Sequence, residues 1–192
     1  MSQIVEAMSD ADLLGVIVGA KTAARMLKDA GSISALLNQS VAPYDTQPRM
    51  KTRLLAAKEL VRRSLLERLR QGNALSSPAS VREYLRMTLA GRDYEVFLVL
   101  FLDAQNRVIE SEEMFRGTLT QTSVYPREIV KRSLFYNAGA AIFAHNHPSG
   151  VAEPSHADET LTQSLKQALA LVDVRVLDHF IVAGAGVLSF AE

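Results

Sequence analysis

Two segments of this chain are apolar at both strand parities, and they limit what it can fold into. "VFLVLFL", Val96 to Leu102, contains no polar residue, and "GAAIFAH", Gly139 to His145, contains none before its final histidine. Strand side chains alternate between faces, so such strands need apolar cover on both sides and do not suit a sheet edge. The run from Val96 to Leu102 is also the longest apolar stretch in the chain, well short of the roughly 20 residues a membrane-spanning helix requires. Helices of the same chain must supply the cover. That predicts an α/β fold, with a mixed β-sheet flanked by helices.

The surrounding sequence fills in this frame. "EVFLVLFLDAQNRVIESEEMF" reads as two strands joined by a tight turn over Asp103 to Asn106. "TLTQTSVY" reads as a further strand, and "PREIVKRSLFYN" as a helix with Pro126 at its first position. After the strand ending at His145 comes a Pro, Ser and Gly-containing loop, then a helix from Ser155 to about Leu171. "VRVLDHFIVAG" and "VLSFAE" supply the last strands. "VREYLRMTL" is a helix opened by Ser77-Pro78.

The preceding part is helical throughout. Ser9 and Asp12 have capping-box spacing, and Gly31 is a helix stop after "KTAARMLKDA". "SISALLN" makes a short helix, and "PRMKTRLLAAKELVRRSLLERLR" a long one with Leu54, Leu55, Val61, Leu65 and Leu69 on one stripe. Residues 1–75 carry eleven Lys/Arg against seven Asp/Glu, and residues 76–192 ten against fourteen, so the formal charge of zero hides opposite halves. "LRQGNALSSPAS", where the character changes, sets the expected division into a small all-helical N-terminal domain, 1–75, and an α/β domain, 76–192. The long helix holds eight Lys/Arg against two Asp/Glu between Arg49 and Arg70. Such a face can track phosphates or simply be solvated. The opening "MSQIVEAMSDAD" is acidic, unlike a cleavable leader, and the absence of cysteine suits a reducing cytoplasm.

Without cysteine, any metal must be held by His, Asp or Glu. "AHNHPSGVAEPSHAD", Ala144 to Asp158, concentrates three of the chain's four histidines. His145 and His147 sit two apart at the end of a buried strand, so both project to one side. Asp158 falls in the first turn of the next helix, where the helix dipole favours a carboxylate that can point back across the loop. Two nitrogens and one oxygen make a three-ligand set that leaves a fourth tetrahedral position for water, as in catalytic zinc sites.

Hydrolysis also needs a group to carry protons. In "YEVFLVLFLD", Glu95 heads the face that carries Phe97, Val99 and Phe101. A half-dry carboxylate suits that role, but Glu110, Glu112, Glu113, Glu128 and Glu153 are rivals that spacing does not rank. His156 reads as a surface residue, and His179, after an aspartate in a strand, as a core residue or a support for the ligands rather than a ligand.

"HNHPSGVAEPSHAD" resembles the JAMM metalloprotease motif, His-x-His followed after seven residues by Ser-x-x-Asp, and in particular the RadC family. "LFLDAQNRVI", "FRGTL", "VYPREIVKRSL" and "LDHFIV" resemble that family in the same order, so the likeness covers Leu75 to Glu192. It implies the JAMM-type, cytidine-deaminase-like fold, with Zn2+ held by His145, His147 and Asp158. It also implies Glu95 as general acid/base and Ser155 as a donor to the developing oxyanion. The N-terminal part is similar too, but where the family has a Gly-x-Gly helix-hairpin-helix turn, a backbone nest for phosphates, this chain reads "APYDTQPRMKTRLLAA". The hairpin is degenerate.

The resemblance to the wider JAMM group implies, as the leading reading, a zinc-dependent hydrolase of peptide or isopeptide bonds acting on a peptide or protein substrate. A DNA-associated role, in repair or as a nuclease, follows from the family resemblance and the basic helix. A metal-bearing interaction module without turnover is the third. The presence of all five implied site residues weighs against the third.

Overall fold

The computed structural model describes residues 2–38, 48–117 and 124–191. By packing, the chain divides into two units, Met1–Arg62 and Arg63–Glu192. Helices make up the described part of the first: α1 (Ser2–Glu6), α2 (Asp10–Val18), α3 (Ala20–Ala30), α4 (Ile33–Asn38) and the leading turns of α5 (Pro48–Gln71). Leu14, Val18, Ala23, Met26, Leu36 and Leu54 form its core. Ser9 caps α2 by accepting from the Asp12 N–H at 3.2 Å, and Gly31, at φ +78°, closes α3 in the left-handed conformation. The five residues of α1 lie in the part read as helical but carry no periodic signal that marks them as a separate helix. Of the stretch set against the Gly-x-Gly turn, 42–57, residues 42–47 lie outside the described residues, and 48–57 form the leading turns of α5.

The second unit is built on a five-stranded sheet. Its strands are β1 (Val96–Leu102), β2 (Val108–Arg116), β3 (Ala140–Asn146), β4 (Arg175–Ala183) and β5 (Gly186–Ser189), in the order β2-β1-β3-β4-β5. All neighbours are antiparallel except β3 and β4. A parallel pair needs a crossover, which α8 (His156–Ala170) supplies. Every residue of β1 and of β3 is buried, as their apolar parity requires, and both strands lie inside the sheet. Val96, Leu98, Leu100, Ile142 and Ala144 face Leu65 and Leu69 of α5 and Val81, Tyr84, Leu85 and Leu89 of α6 (Pro78–Leu89). Phe97, Val99, Phe101 and Phe143 face Ile129 of α7 (Pro126–Phe135) and Leu165 and Leu169 of α8. Most of "TLTQTSVY", residues 118–123, lies outside the described residues.

Packing and composition divide the chain at different points. The last turns of α5 contribute Leu65, Leu66 and Leu69 to the sheet's core, so they pack with the second unit although the charge pattern changes only after them. Among the described residues no helix is long and apolar enough to cross a membrane.

The β1–β2 turn is held by one carboxylate. Asp103 accepts from the backbone N–H groups of Gln105 and Arg107, both at 2.9 Å, and from Arg107 Nε at 2.7 Å. The Arg107 N–H above all, with the Arg107 guanidinium and Gln105, holds this carboxyl below its ordinary range against slight burial. A depressed pKa stabilises the fold above the unfolded value of about 3.9 and ceases to do so as pH falls through the folded one. Asp103→Asn should therefore cost about 1 kcal/mol at neutral pH, and the deficit should shrink below pH ~4. Urea unfolding at several pH values measures both; an equal deficit at pH 3 and pH 7 would contradict the assignment.

Candidate metal centre

The ends of two elements meet above β3. His145, 2% exposed, projects from the penultimate position of the strand toward the α8 face. His147 follows just beyond, anchored by its backbone N–H to Val182 O at 2.9 Å. Pro148 and Ser149 then turn the chain, and the Gly150 N–H donates to His147 O at 3.1 Å. Gly150 has φ +80°, a conformation that glycine adopts without strain. The turn returns Val151 O to 2.8 Å from His147 Nδ1. A carbonyl only accepts, so Nδ1 carries the hydrogen, and Nε2 of the neutral ring keeps its lone pair.

From the other side comes the first turn of α8. Ser155 is its N-cap and Asp158 its third residue, joined in a reciprocal capping box: the Asp158 N–H donates to Ser155 Oγ at 3.2 Å, and the Ser155 N–H to Asp158 Oδ2 at 2.8 Å. The Ser155 hydroxyl donates to the same Oδ2 at 2.6 Å. In this arrangement its proton is directed at Asp158, whereas the family resemblance assigns it to an oxyanion.

The result is a compact donor triangle. His145 Nε2 lies 2.9 Å from His147 Nε2 and 3.2 Å from Asp158 Oδ1, and His147 Nε2 lies 3.5 Å from Asp158 Oδ2. Among the described residues this is the one group of three such side chains able to converge on an ion. Tetrahedral zinc with bonds near 2.0–2.1 Å separates its ligand atoms by about 3.3 Å, so the spacing fits. The chemistry fits too, because facing nitrogens at 2.9 Å beside a carboxylate need a cation or a proton between them. Burial opposes the charge on Asp158, but the contacts with His145 and the hydrogen bonds from Ser155 outweigh it, holding the carboxyl well below its usual range.

Glu95 immediately precedes β1. Phe97 pairs with His145 in the β1–β3 ladder, and continuing the same register sets Glu95 across from His147, on the face that carries both histidines. It is half-buried, and its carboxylate has no hydrogen bond or ion pair among the described residues. Four rivals are committed: Glu110 to Arg70 at 3.0 Å, Glu112 to Arg132 at 2.7 Å, Glu113 to Arg92 at 2.6 Å and Glu128 to Lys131 at 2.9 Å. Glu153 is exposed in the loop. His156 is 94% exposed and 3.6 Å from Glu159, apart from the cluster.

Sequence reasoning missed Asn146, the residue between the two histidines. Its Oδ1 accepts from the Val96 N–H at 2.9 Å, and its Nδ2 donates to Tyr94 O at 3.0 Å, gripping the backbone on either side of Glu95. Its position inside the motif was the available signal; its partners depend on strand register. His179 lies behind His145, with its Nε2 2.9 Å from His145 Nδ1. Burial pushes its imidazole down to about 3, with His145, Lys166 and His147 adding to the shift and Asp158 opposing it.

Comparison with known proteins agrees with this geometry. Residues 75–192 match the model of the RadC-like JAB domain. The chain belongs to the RadC family. It is 52% identical over 198 residues to a UPF0758 protein of Nitrosomonas europaea, covering 97% of this chain and 88% of that one. It is 54% and 48% identical over 204 residues to UPF0758 proteins of Thiobacillus denitrificans and Chromobacterium violaceum, each covering 100% of this chain and 91% of the relative. The sheet with its flanking helices is thus the RadC-like JAB domain, and the His-His-Asp cluster sits at the end of its central strand.

The capping box gives a direct test of this RadC-like site. Ser155→Ala removes the cap acceptor of α8, which should lower stability by about 1 kcal/mol in chemical denaturation, while His145, His147 and Asp158 still retain metal. Loss of metal with unchanged stability would reverse the roles assigned to Ser155.

Proposed function

We propose that this RadC-family protein is a metal-dependent hydrolase that cleaves peptide or isopeptide bonds. The observation that carries the reading is the convergence of His145 Nε2, His147 Nε2 and an Asp158 oxygen beside Glu95, the half-buried carboxylate with no partner of its own among the described residues. His145, His147 and Asp158 would hold Zn2+, which supplies Lewis acidity to water and to the scissile carbonyl when bound.

The remaining work belongs to the chain's own groups. Glu95 takes a proton from the attacking water and passes it to the departing amine nitrogen, as a general base and then a general acid. Asn146 fixes the backbone flanking Glu95, so the carboxylate stays on the histidine face. The Ser155 hydroxyl is free to donate to the developing oxyanion once its proton turns away from Asp158, while its oxygen continues to cap α8.

Metal analysis and kinetics test the parts separately. Purified protein should contain one zinc per chain, and His145→Ala with His147→Ala should abolish it. Glu95→Gln keeps shape but removes the base, so zinc should remain while turnover of a peptide or lysine-isopeptide library substrate falls roughly 10²-fold or more. Wild-type turnover by the Glu95→Gln protein would exclude this carboxylate.

The nucleic-acid reading draws little support from α5. Arg53 donates to Ile17 O, Lys58 to Leu37 O, and Arg62, Arg68 and Arg70 pair with Glu59, Glu83 and Glu110. Side chains so engaged are less available to phosphates. Duplex DNA binding should accordingly be weak and vanish near physiological salt; tight, sequence-selective binding in a salt titration would restore that reading.

A further inference from the structure

Behind the metal centre lies a buried chain of polar contacts whose direction can be worked out. Thr162, on α8 one turn after Asp158, places its Oγ1 2.6 Å from Asp158 O and 2.6 Å from His179 Nδ1. A hydroxyl has one proton and a carbonyl can only accept, so the proton goes to Asp158 O. His179 Nδ1 must then be the donor to Thr162. The His179 ring is buried and its side-chain hydrogen-bond partners among the described residues include no carboxylate, so it is held neutral, and its Nε2 carries a lone pair that accepts from His145 Nδ1 at 2.9 Å. With its hydrogen on Nδ1, neutral His145 keeps the Nε2 lone pair, which points at His147 and Asp158.

We propose that Thr162 and His179 are positioning residues that lock His145 in the one neutral tautomer able to bind a cation through Nε2. The proposal rests on the metal-centre reading above and adds to it the device that selects the donor atom. The relay begins and ends at Asp158, whose backbone carbonyl orients Thr162 and whose carboxylate joins the same cluster as His145.

The surroundings hold His179 in place. Phe190 stacks on its ring at 4.8 Å and 15°, while Phe97 and Phe143 meet it at their edges, 5.6 Å and 5.8 Å between centroids. The preceding residue fixes both partners: Asp178 Oδ1 accepts from the N–H groups of His179 at 2.7 Å and Ala191 at 3.2 Å, and its Oδ2 accepts from Ser189 Oγ at 2.7 Å. The Phe190 N–H closes onto His179 O at 2.9 Å. Asp178 thereby keeps the C-terminal segment against the imidazole, and the "LDHF" stretch serves the metal centre without touching it.

If the Thr162 hydroxyl is removed, His179 Nδ1–H loses its acceptor in a buried place, which favours the other tautomer. Nε2–H would then donate to His145 Nδ1 and drive the His145 hydrogen onto Nε2, where it obstructs the metal position. Partners behind metal-binding imidazoles contribute about 10- to 100-fold in affinity.

Two readouts on the full chain decide the matter: the imidazole ¹⁵N tautomer pattern of the metal-free protein, and zinc affinity by chelator competition. Wild type should show His145 protonated on Nδ1. Thr162→Val should lose that pattern and bind zinc about 10- to 100-fold more weakly, and Thr162→Ser, which restores the hydroxyl, should recover both. His179→Phe, which fills the space among Phe97, Phe143 and Phe190, is the second variant should Thr162→Val not fold; it should show the same loss of affinity. An unchanged His145 tautomer and unchanged zinc affinity in Thr162→Val, or in His179→Phe if that variant must stand in, would overturn the relay. Wild-type protein that binds no zinc yet shows the Nδ1–H tautomer would instead overturn the metal-centre reading and leave the relay standing.

Discussion

The full burial of β1 and β3 governs where this protein can carry chemistry. A strand covered on both faces has little room for polar groups along its length, so its polar side chains gather at its end. β3 stays apolar through Ala144 and ends in His145 and Asn146, with His147 just beyond. Its neighbour β4 is parallel, which forces a crossover, and α8 must begin on the side where β3 ends. The meeting of a strand's carboxyl end with a helix N-terminus is where open α/β sheets commonly bind ligands. Here the connectivity delivers Asp158 to the histidines.

Asp158 performs two tasks at one point. Its carboxylate completes the capping box with Ser155, satisfying an orphan N–H of α8, and it also meets both imidazoles. The two tasks use the carboxylate unequally: Oδ2 takes both donors of Ser155, leaving Oδ1 free of them and 3.2 Å from His145 Nε2. The helix dipole and the cap favour the ionised form that a cation requires. Local helix stability and the electrostatics of the site therefore reinforce each other.

Much of this was legible in the sequence. Double-parity apolar runs gave the interior strands, Asp103 to Asn106 the hairpin turn, and His-x-His with Ser-x-x-Asp the convergence of three side chains. What escaped depends on contacts between distant segments. Spacing leaves Glu95 level with five other glutamates, because only the fold shows four of them paired with Arg70, Arg132, Arg92 and Lys131. Thr162 looks like an ordinary helix residue until β4 brings His179 within 2.6 Å of it. Packing places Leu65, Leu66 and Leu69 of α5 in the sheet's core, while the basic residues around them follow the composition of the first unit.

Asn146 shows how the two halves of the site are coupled. In a strand, the residue between two that face one side must face the other. His145 and His147 therefore release the intervening side chain toward the start of β1, where its amide both donates and accepts across the Glu95 backbone. A carboxylate there would lack a donor for Tyr94 O, and an ammonium an acceptor for the Val96 N–H; an amide of this length offers both. The same two-residue repeat that converges the histidines thus fixes the placement of Glu95, through a residue that is not one of the three converging side chains. A shift of β1 against β3 by one residue would turn Glu95 to the opposite face, and Asn146 is the side chain that opposes such a shift at the end of the ladder where the His-His-Asp cluster lies.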